Sequence, residues 1–449
     1  MNKLIQFPYS TILVLGLAKS GTAAAKTLLA NGKRVRVSDM KAKEADDVVL
    51  ELRELGAEVI IGTHPLDALD GIDLIVKNPG IPYDNPIISE ALKREIPIIT
   101  EIEIAYYLSD GPIIGITGSN GKTTTTTLIA EMLRNSNQPV TVAGNIGVVA
   151  TDTAQHVTKD ESLVLELSSF QLQGTIDFKP NTAVLLNIFE AHLDYHQSLE
   201  NYVKAKCNIF KNQTNDDYLV YNAEDKTLIQ EIKHAKATLV PFSNKRKVLD
   251  GAYVEKGYIY FKEEEIVAIE DIVLVGEHNI ENILAAVATA KLNGASNEGI
   301  RRVLKTFTGV KHRLQYVDSV RGRLFYNDSK ATNILATQKA LSSFQKPVIL
   351  LAGGLDRGNE FTELSPYLGS VKAMILFGET KYKLKELAEN EGIKNIVLVD
   401  NVEKAAQEAY SLSQEGDVIL LSPACASWDQ YRTFEERGDM FIQAVHRLV

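Results

Sequence analysis

The chain has 449 residues, 45% of them hydrophobic and 24% charged, with 48 basic against 58 acidic side chains and a net charge of −10. This composition excludes a disordered chain and a small disulfide-stapled module, and the acidic balance argues against a broad nucleic-acid surface. At about 150 residues per domain the length predicts about three domains. The two cysteines, Cys207 and Cys425, lack the paired spacing of a zinc site or disulfide framework, which fits a reducing cytoplasm.

The apolar run 12–18 is short and stops at Lys19 before a Gly-rich turn. It reads as a buried first strand rather than the hydrophobic region of a signal peptide. No segment approaches the roughly 20 apolar residues that cross a bilayer, so a soluble protein without a membrane span is expected. Strand 12–15, turn 16–21, helix 22–31 and strand 35–38 form one βαβ unit. Strands at 58–61, 74–77 and 98–100 extend it into a doubly wound domain over residues 1–101. The turn Gly16-Leu17-Ala18-Lys19-Ser20-Gly21 has the shape of a dinucleotide fingerprint with Ala18 in place of the middle glycine. Asp39 ends the second strand, where an acid reaches a ribose or base.

The second block, 102–308, opens with strand 113–117 and the segment Gly115-Ile116-Thr117-Gly118-Ser119-Asn120-Gly121-Lys122-Thr123 at a helix start. Backbone N–H groups there can wrap phosphate oxygens, Lys122 can neutralise them, and the Thr123 hydroxyl can ligate Mg²⁺. The usual pattern needs glycine six residues before the lysine; that place is Ile116, and the glycine falls one residue early. Of the following threonines, Thr123 and Thr124 are the functional candidates. Strands at 163–167 and 182–188 follow. Short alternating segments between 218 and 275 predict antiparallel hairpins within one mixed sheet, and a helix over 279–292 closes the block. Glu166 at a strand end, with His192, Asp194 and His196 after the next strand, offers carboxylate and imidazole ligands for a cation. His192 reads at least as well as a hydrogen-bonded loop histidine, for His196 that reading is preferred to a ligand, and Lys206 reads as a solvated helical lysine.

The third block, 309–449, resumes strict alternation, with strands at 323–327, 348–352, 373–377, 396–399 and 418–421, each followed by a helical stretch. The loops 327–333 and 422–429 follow apolar strands. They serve either as helix caps or as ligand contacts. Strands ending at Leu15, Thr117 and Ala352 each run into a Gly-rich loop, so three domains are expected around one composite site, with closure on ligand binding.

Together these segments resemble the Mur ligase family, the ATP-dependent amino-acid ligases of peptidoglycan synthesis, over essentially the whole chain. The resemblance rests on Thr117-Gly118-Ser119-Asn120-Gly121-Lys122-Thr123, whose displaced glycine is that family's own variant. It rests also on Gly144-Asn145-Ile146-Gly147, Glu166-Leu167-Ser168-Ser169-Phe170-Gln171-Leu172, His278-Asn279, His312-Arg313 and Asn327-Asp328-Ser329-Lys330-Ala331-Thr332-Asn333, in family order. The last of these, with 422–430, is most similar to the branch that adds D-glutamate to UDP-N-acetylmuramoyl-L-alanine.

The resemblance implies an α/β fold of three domains: an N-terminal Rossmann-like UDP-binding domain, a central P-loop ATPase-like domain with a mixed sheet, and a C-terminal Rossmann-like amino-acid-binding domain. It implies ATP and two Mg²⁺ ions, an acyl-phosphate intermediate, and a cytoplasmic monomer. Lys122, His192, Lys206 and Lys330 become the catalytic candidates. Gly118, Ser119, Asn120, Gly121, Lys122, Thr123, Thr124, Asn279, Asn282, Arg313 and Asp328 are assigned to ATP. Lys19, Ser20, Asp39, Gly80, Asn145 and His192 go to the UDP substrate, and Thr332, Arg357, Ser427 and Phe434 to D-glutamate. Thr123, Glu166, His192 and a carbamylated Lys206 would ligate metal. Two positions depart from the family pattern: Arg357 stands where lysine is usual, and Lys19 where an apolar residue is usual.

Three other readings compete. Another Mur ligase or a folylpolyglutamate synthase would keep the reaction class. An NAD(P)-dependent dehydrogenase would explain 16–39 alone. A nucleotide-gated binding protein would explain the phosphate loop but not Glu166, His192 and Lys206 together.

Overall fold

A computed structural model describes residues 1–274 and 276–448. Among these residues twenty strands form three sheets. The first holds β1 (Thr11–Leu15), β2 (Arg34–Asp39), β3 (Glu58–Ile61), β4 (Leu74–Lys77) and β5 (Ile98–Ile99), all parallel in the order 3-2-1-4-5. The order reverses between β1 and β4, so the loops after these two strands open the crevice where such sheets take ligands. β1 reads Thr-Ile-Leu-Val-Leu with its last four residues buried, as a strand covered on both faces must.

The second sheet holds β6 (Ile113–Thr117), β7 (Val140–Gly144), β8 (Ser162–Glu166), β9 (Thr182–Leu185), β10 (Tyr218–Asn222), β11 (Thr238–Ser243), β12 (Ala252–Glu255), β13 (Tyr258–Phe261) and β14 (Glu264–Ala268). Their order is 14-13-12-11-10-9-6-8-7. The hairpins expected between 218 and 275 are only half present. β12, β13 and β14 are antiparallel, but β10 runs parallel to β9 and β11, because the helix Lys226–Glu231 supplies a crossover between them.

The third sheet holds β15 (Gln315–Val320), β16 (Arg323–Asn327), β17 (Val348–Gly353), β18 (Val371–Phe377), β19 (Asn395–Leu398) and β20 (Val418–Leu421), in the order 15-16-20-17-18-19. Only β15 is antiparallel to its neighbour. The helical stretch expected after β17 takes the 3₁₀ form, Thr362–Ser370, with Pro366 inside it.

The chain divides into two compact units, 1–271 with 280–303, and 272–279 with 304–449. In the first unit one apolar core runs from Ile12 and Val14 through Ile102, Ala105 and Leu108 to Leu163 and Leu185, so the first two sheets share a core through the helix Glu101–Leu108. Two buried carboxylates fix that helix. Glu101 accepts from the Thr151 N–H (3.0 Å) and hydroxyl (2.7 Å), and Glu103 accepts from the N–H groups of Ile176, Asp177 and Phe178. The second unit is built on Leu350, Met374 and Leu420 on one sheet face and Ile349, Ile375 and Phe441 on the other. Among the described residues no helix is long and apolar enough to cross a membrane.

Candidate active site

In the first unit, β6 passes into the loop Gly118–Gly121 and the helix Lys122–Arg134. Gly121 caps that helix at φ +84°, a left-handed conformation, and a Cβ there would lie 2.1 Å from Asn282 Oδ1. Glycine is thus required twice over, by backbone conformation and by the approach of Asn282. The loop is braced from β9's end: Asn187 accepts from the Asn120 N–H at 2.9 Å, the Ser119 N–H donates to the Asn187 carbonyl at 2.9 Å, and Ser119 Oγ lies 2.8 Å from the Tyr202 hydroxyl. Lys122 Nζ donates to the Gly118 carbonyl at 2.7 Å, so the charge expected for phosphate lies over the loop. Thr123 is half-buried and Thr124 buried in the first turn of the helix.

Two further groups converge on this loop. Parallel registry sets Glu166 of β8 beside Ile116 of β6 and Gly144 of β7. Glu166 Oε1 accepts from Asn145 Nδ2 at 2.9 Å, whereas Oε2 is buried with no hydrogen-bond partner among the described residues. Lys206 is only 1% exposed, against its reading as a solvated lysine. Its Nζ donates to the Gly118 carbonyl at 2.9 Å and lies 4.7 Å from the centroid of the Tyr202 ring. Burial, then the nearby charge of Lys122, holds its amine well below the usual lysine range.

His192 is exposed and sits at φ +56°, capping the short helix Leu193–His196. His196 is buried, accepting from or donating to Ser169 Oγ at 2.9 Å through Nε2. Burial first, then the neighbouring charges of His192 and Lys206, press its pKa down to about 4, so it stays neutral. His196 is thus hydrogen-bonded through one ring nitrogen, while Nδ1 has no partner among the described residues.

At the first sheet's switch point, Asn78 ties two candidates together: its Nδ2 donates to Ser20 Oγ at 3.2 Å and its Oδ1 accepts from the Gly80 N–H at 3.2 Å. Lys19 is exposed in the first turn of the helix Lys19–Ala30. It borders a cavity of about 590 Å³ that none of the other UDP candidates lines. Asp39 is occupied locally. It accepts from the N–H groups of Leu17 (2.6 Å), Lys41 (2.7 Å) and Ala42 (2.8 Å); burial alone would raise its pKa, but these three donors hold it below the usual value. Its visible work is to shape the fingerprint turn.

In the second unit the ends of β16, β17 and β20 meet. Asp328 accepts from the Leu314 N–H at 3.1 Å and the Ser422 hydroxyl at 2.9 Å. Burial pushes its carboxyl up to about 7, against those two donors and the charge of Arg313. Asn279 is buried beside Gly276, and burial followed by the charges of Lys339 and Arg313 lowers the pKa of His278. Lys330 is exposed with its ammonium 5.7 Å from the Phe434 ring centroid, and Thr332 follows in the same loop, half-buried. Arg357 stacks its guanidinium 5.0 Å from the ring centroid of Trp428, itself 66% exposed. Next to Trp428, the Ser427 hydroxyl is buried without a hydrogen-bond partner among the described residues.

Four residues that position these groups were not among the candidates: Asn78, Asn187, Tyr202 and Arg437. Asn78 and Asn187 could have been found as polar residues ending apolar strands. Arg437 is fully buried and donates to the carbonyls of Ser329, Gly353 and Cys425, one behind each of the three strand ends. Burial lowers its pKa to about 10, so it remains charged near neutrality.

The donors suit metal unevenly. Thr123 and the orphaned Glu166 oxygen are the hard oxygen ligands that Mg²⁺ takes. Among the described residues no cluster of three or more His, Cys, Asp or Glu side chains exists, and an unmodified Lys206 amine is no ligand for a hard cation. Its carbamate would be.

Comparison with known proteins adds an independent line. Residues 10–100 match the Mur ligase MurD-like N-terminal domain, 116–290 the Mur ligase middle domain, and 312–425 the Mur ligase glutamate ligase domain. A UDP-N-acetylmuramoylalanine--D-glutamate ligase of Oceanobacillus iheyensis is 62% identical over 448 residues, covering 100% of both chains. The protein of the same name from Bacillus subtilis is 57% identical over 438 residues, 97% of each chain. Solved structures agree in fold. UDP-N-acetylmuramate-alanine ligase MurC of Thermotoga maritima gives a TM-score of 0.57 at 19% identity, covering 97% of this chain and 99% of its own. MurF ligase of the same organism, solved in complex with ADP, gives 0.56 at 19%, covering 100% and 98%.

Proposed function

The chain belongs to the Mur ligase family, and from that premise we propose that it joins D-glutamate to UDP-N-acetylmuramoyl-L-alanine at the cost of ATP, as a cytoplasmic monomer. The observation that carries this reading is the full-length identity to ligases of that name. The phosphate loop with two lysines at the Gly118 carbonyl supports it.

In the first step a carboxylate oxygen of the substrate's L-alanine attacks the γ-phosphorus of ATP. The bond to the bridging oxygen breaks, releasing ADP and leaving an acyl phosphate. In the second, the D-glutamate nitrogen attacks the acyl carbon, the carbon–oxygen bond to phosphate breaks, and the amine loses a proton. Negative charge spreads over the transferring group, so catalysis is mostly clamping and positioning. The Gly118–Gly121 amides and the start of the helix Lys122–Arg134 cradle the phosphates, and Lys122 exchanges its carbonyl partner for them. Mg²⁺, when bound, neutralises the phosphate oxygens; Thr123 and Glu166 would hold one ion, and His192 with carbamylated Lys206 the other. The Lys206 environment favours the neutral amine, the form that adds CO₂ to give a carbamate and a proton.

Asn279, Asn282, Arg313 and Asp328 are assigned to the base and ribose, and Lys330 to the phosphates. Ser20, Gly80 and Lys19 serve the UDP end, with Asp39 acting through the turn it shapes, while Asn145 and His192 face the muramoyl-alanine end. Arg357, Ser427, Thr332 and Phe434 take D-glutamate. The Arg357 fork can bind a carboxylate bidentately, which preserves the role of the usual lysine with different geometry. Labelling the substrate's terminal carboxylate with ¹⁸O tests the mechanism: label must appear in released phosphate, and unlabelled phosphate would exclude the acyl-phosphate route.

A further inference from the structure

Lys77 ends β4 and is only 1% exposed, yet among the described residues none of its hydrogen bonds goes to a carboxylate. Its ammonium donates to the Ile81 carbonyl at 2.7 Å and the Tyr195 hydroxyl at 2.9 Å, with the carbonyls of Asn78 and Pro79 each at 3.3 Å. The ring centroids of Tyr83 and Tyr195 lie 4.9 and 5.6 Å away. Tyr195 is 118 positions further along the chain, and its hydroxyl lies 3.1 Å from both the Pro79 and Ile81 carbonyls. A buried lysine facing only neutral acceptors is costly and lowers its own pKa, here to about 7. Such a cost is retained where the geometry it enforces is useful.

What the knot holds together is specific. On one side is the loop after β4, whose Asn78 bonds Ser20 and Gly80. On the other is the turn that starts at His192, whose φ of +56° is strained for a side chain with a Cβ and must be imposed by its surroundings. Tyr195 supplies that support: its N–H donates to the His192 carbonyl at 3.2 Å, and its ring packs edge-on against Phe170 at 4.5 Å, which in turn meets the His192 ring at 5.1 Å.

We propose that Lys77 and Tyr195 are a positioning pair that locks the 78–81 loop to the His192 turn, so that the site for the nucleotide end of the substrate and the orientation of His192 are set together. This rests on the assignment of Ser20, Gly80 and His192 to the UDP substrate. Steady-state kinetics of the full chain test it, with wild type, Tyr195→Phe, Lys77→Met, Lys77→Arg and the Tyr195→Phe/Lys77→Met double variant. Tyr195→Phe removes one oxygen and keeps the ring on Phe170, so it reports even if Lys77→Met fails to fold. The pair predicts that Tyr195→Phe raises KM for UDP-N-acetylmuramoyl-L-alanine at least fivefold and lowers kcat, while KM for ATP stays within twofold. Lys77→Arg recovers part of the loss, and the double variant is no worse than the poorer single one. Unchanged kinetics in Tyr195→Phe, or a fall in kcat with every KM unchanged, overturns the pair. A wild type with no turnover on these substrates overturns the functional reading instead.

Discussion

The orphaned oxygen of Glu166 makes a stability measurement into a test of the metal assignment. In Glu166→Gln the amide carbonyl keeps the bond to Asn145, while the position of the unpartnered carboxylate oxygen becomes neutral. An unmet buried polar group costs about 1–3 kcal/mol, and more when charged. Exchanging charge for a neutral amide should therefore recover about 1–2 kcal/mol, or roughly 2–4 °C in melting temperature for a unit of this size. Without metal or nucleotide, Glu166→Gln is expected to melt above wild type. With Mg²⁺ and ATP the order reverses, because only wild type gains from the cation, and turnover in the variant falls by about 10²–10³-fold, as for loss of one transition-state electrostatic contact. Differential scanning fluorimetry in EDTA and in Mg²⁺-ATP, paired with phosphate release, reads both effects. A variant less stable than wild type in EDTA, or one that keeps wild-type turnover, rules out Glu166 as a ligand of the cation.

Lys206→Ala is expected to lose activity and to regain part of it with added formate or acetate, which replace the charge of the carbamate; absence of rescue at any carboxylate concentration removes that role. Arg357→Ala should raise KM for D-glutamate about 10–100-fold, as expected for one charge-assisted fork contact, with KM for ATP unchanged and Arg357→Lys intermediate; equal values in all three proteins would detach Arg357 from the amino acid. Glu101 supplies a pH dependence. Its folded pKa is raised to about 7 by burial, against hydrogen bonds from Thr151, so the folded state binds the extra proton. That stabilisation is complete below the unfolded value of about 4.3 and is lost as pH rises through 7, a change of about 4 kcal/mol. Chemical denaturation of Glu101→Gln between pH 4.5 and 7.5 should show a flatter profile than wild type; parallel profiles would contradict the assignment.

Much of the α/β plan is legible in apolar runs that stop at a glycine or asparagine, as β1 stops at Gly16, β6 at Gly118 and β16 at Asn327. β7 and β15 escape that reading because they are edge strands with mostly half-buried residues, where apolar patterning is weak. The parallel pairing of β10 and β11 is hidden by a crossover helix of only six residues. In the site, the phosphate loop is readable because its chemistry is local. Lys206 is not, since a lysine on a short helix defaults to solvent. Its signal is the buried face it shares with Tyr202, Val203 and Ala205. Lys77 is similar: a charge closing the run Leu74-Ile75-Val76 marks a strand end, but its partner Tyr195 emerges only in three dimensions.

Phosphate release from ATP with UDP-N-acetylmuramoyl-L-alanine present, measured with D-glutamate, L-glutamate, L-lysine or meso-diaminopimelate in turn, decides which amino acid the enzyme adds. Release with D-glutamate alone is the predicted result. Release with a different amino acid, or with none of the four, would contradict the assignment.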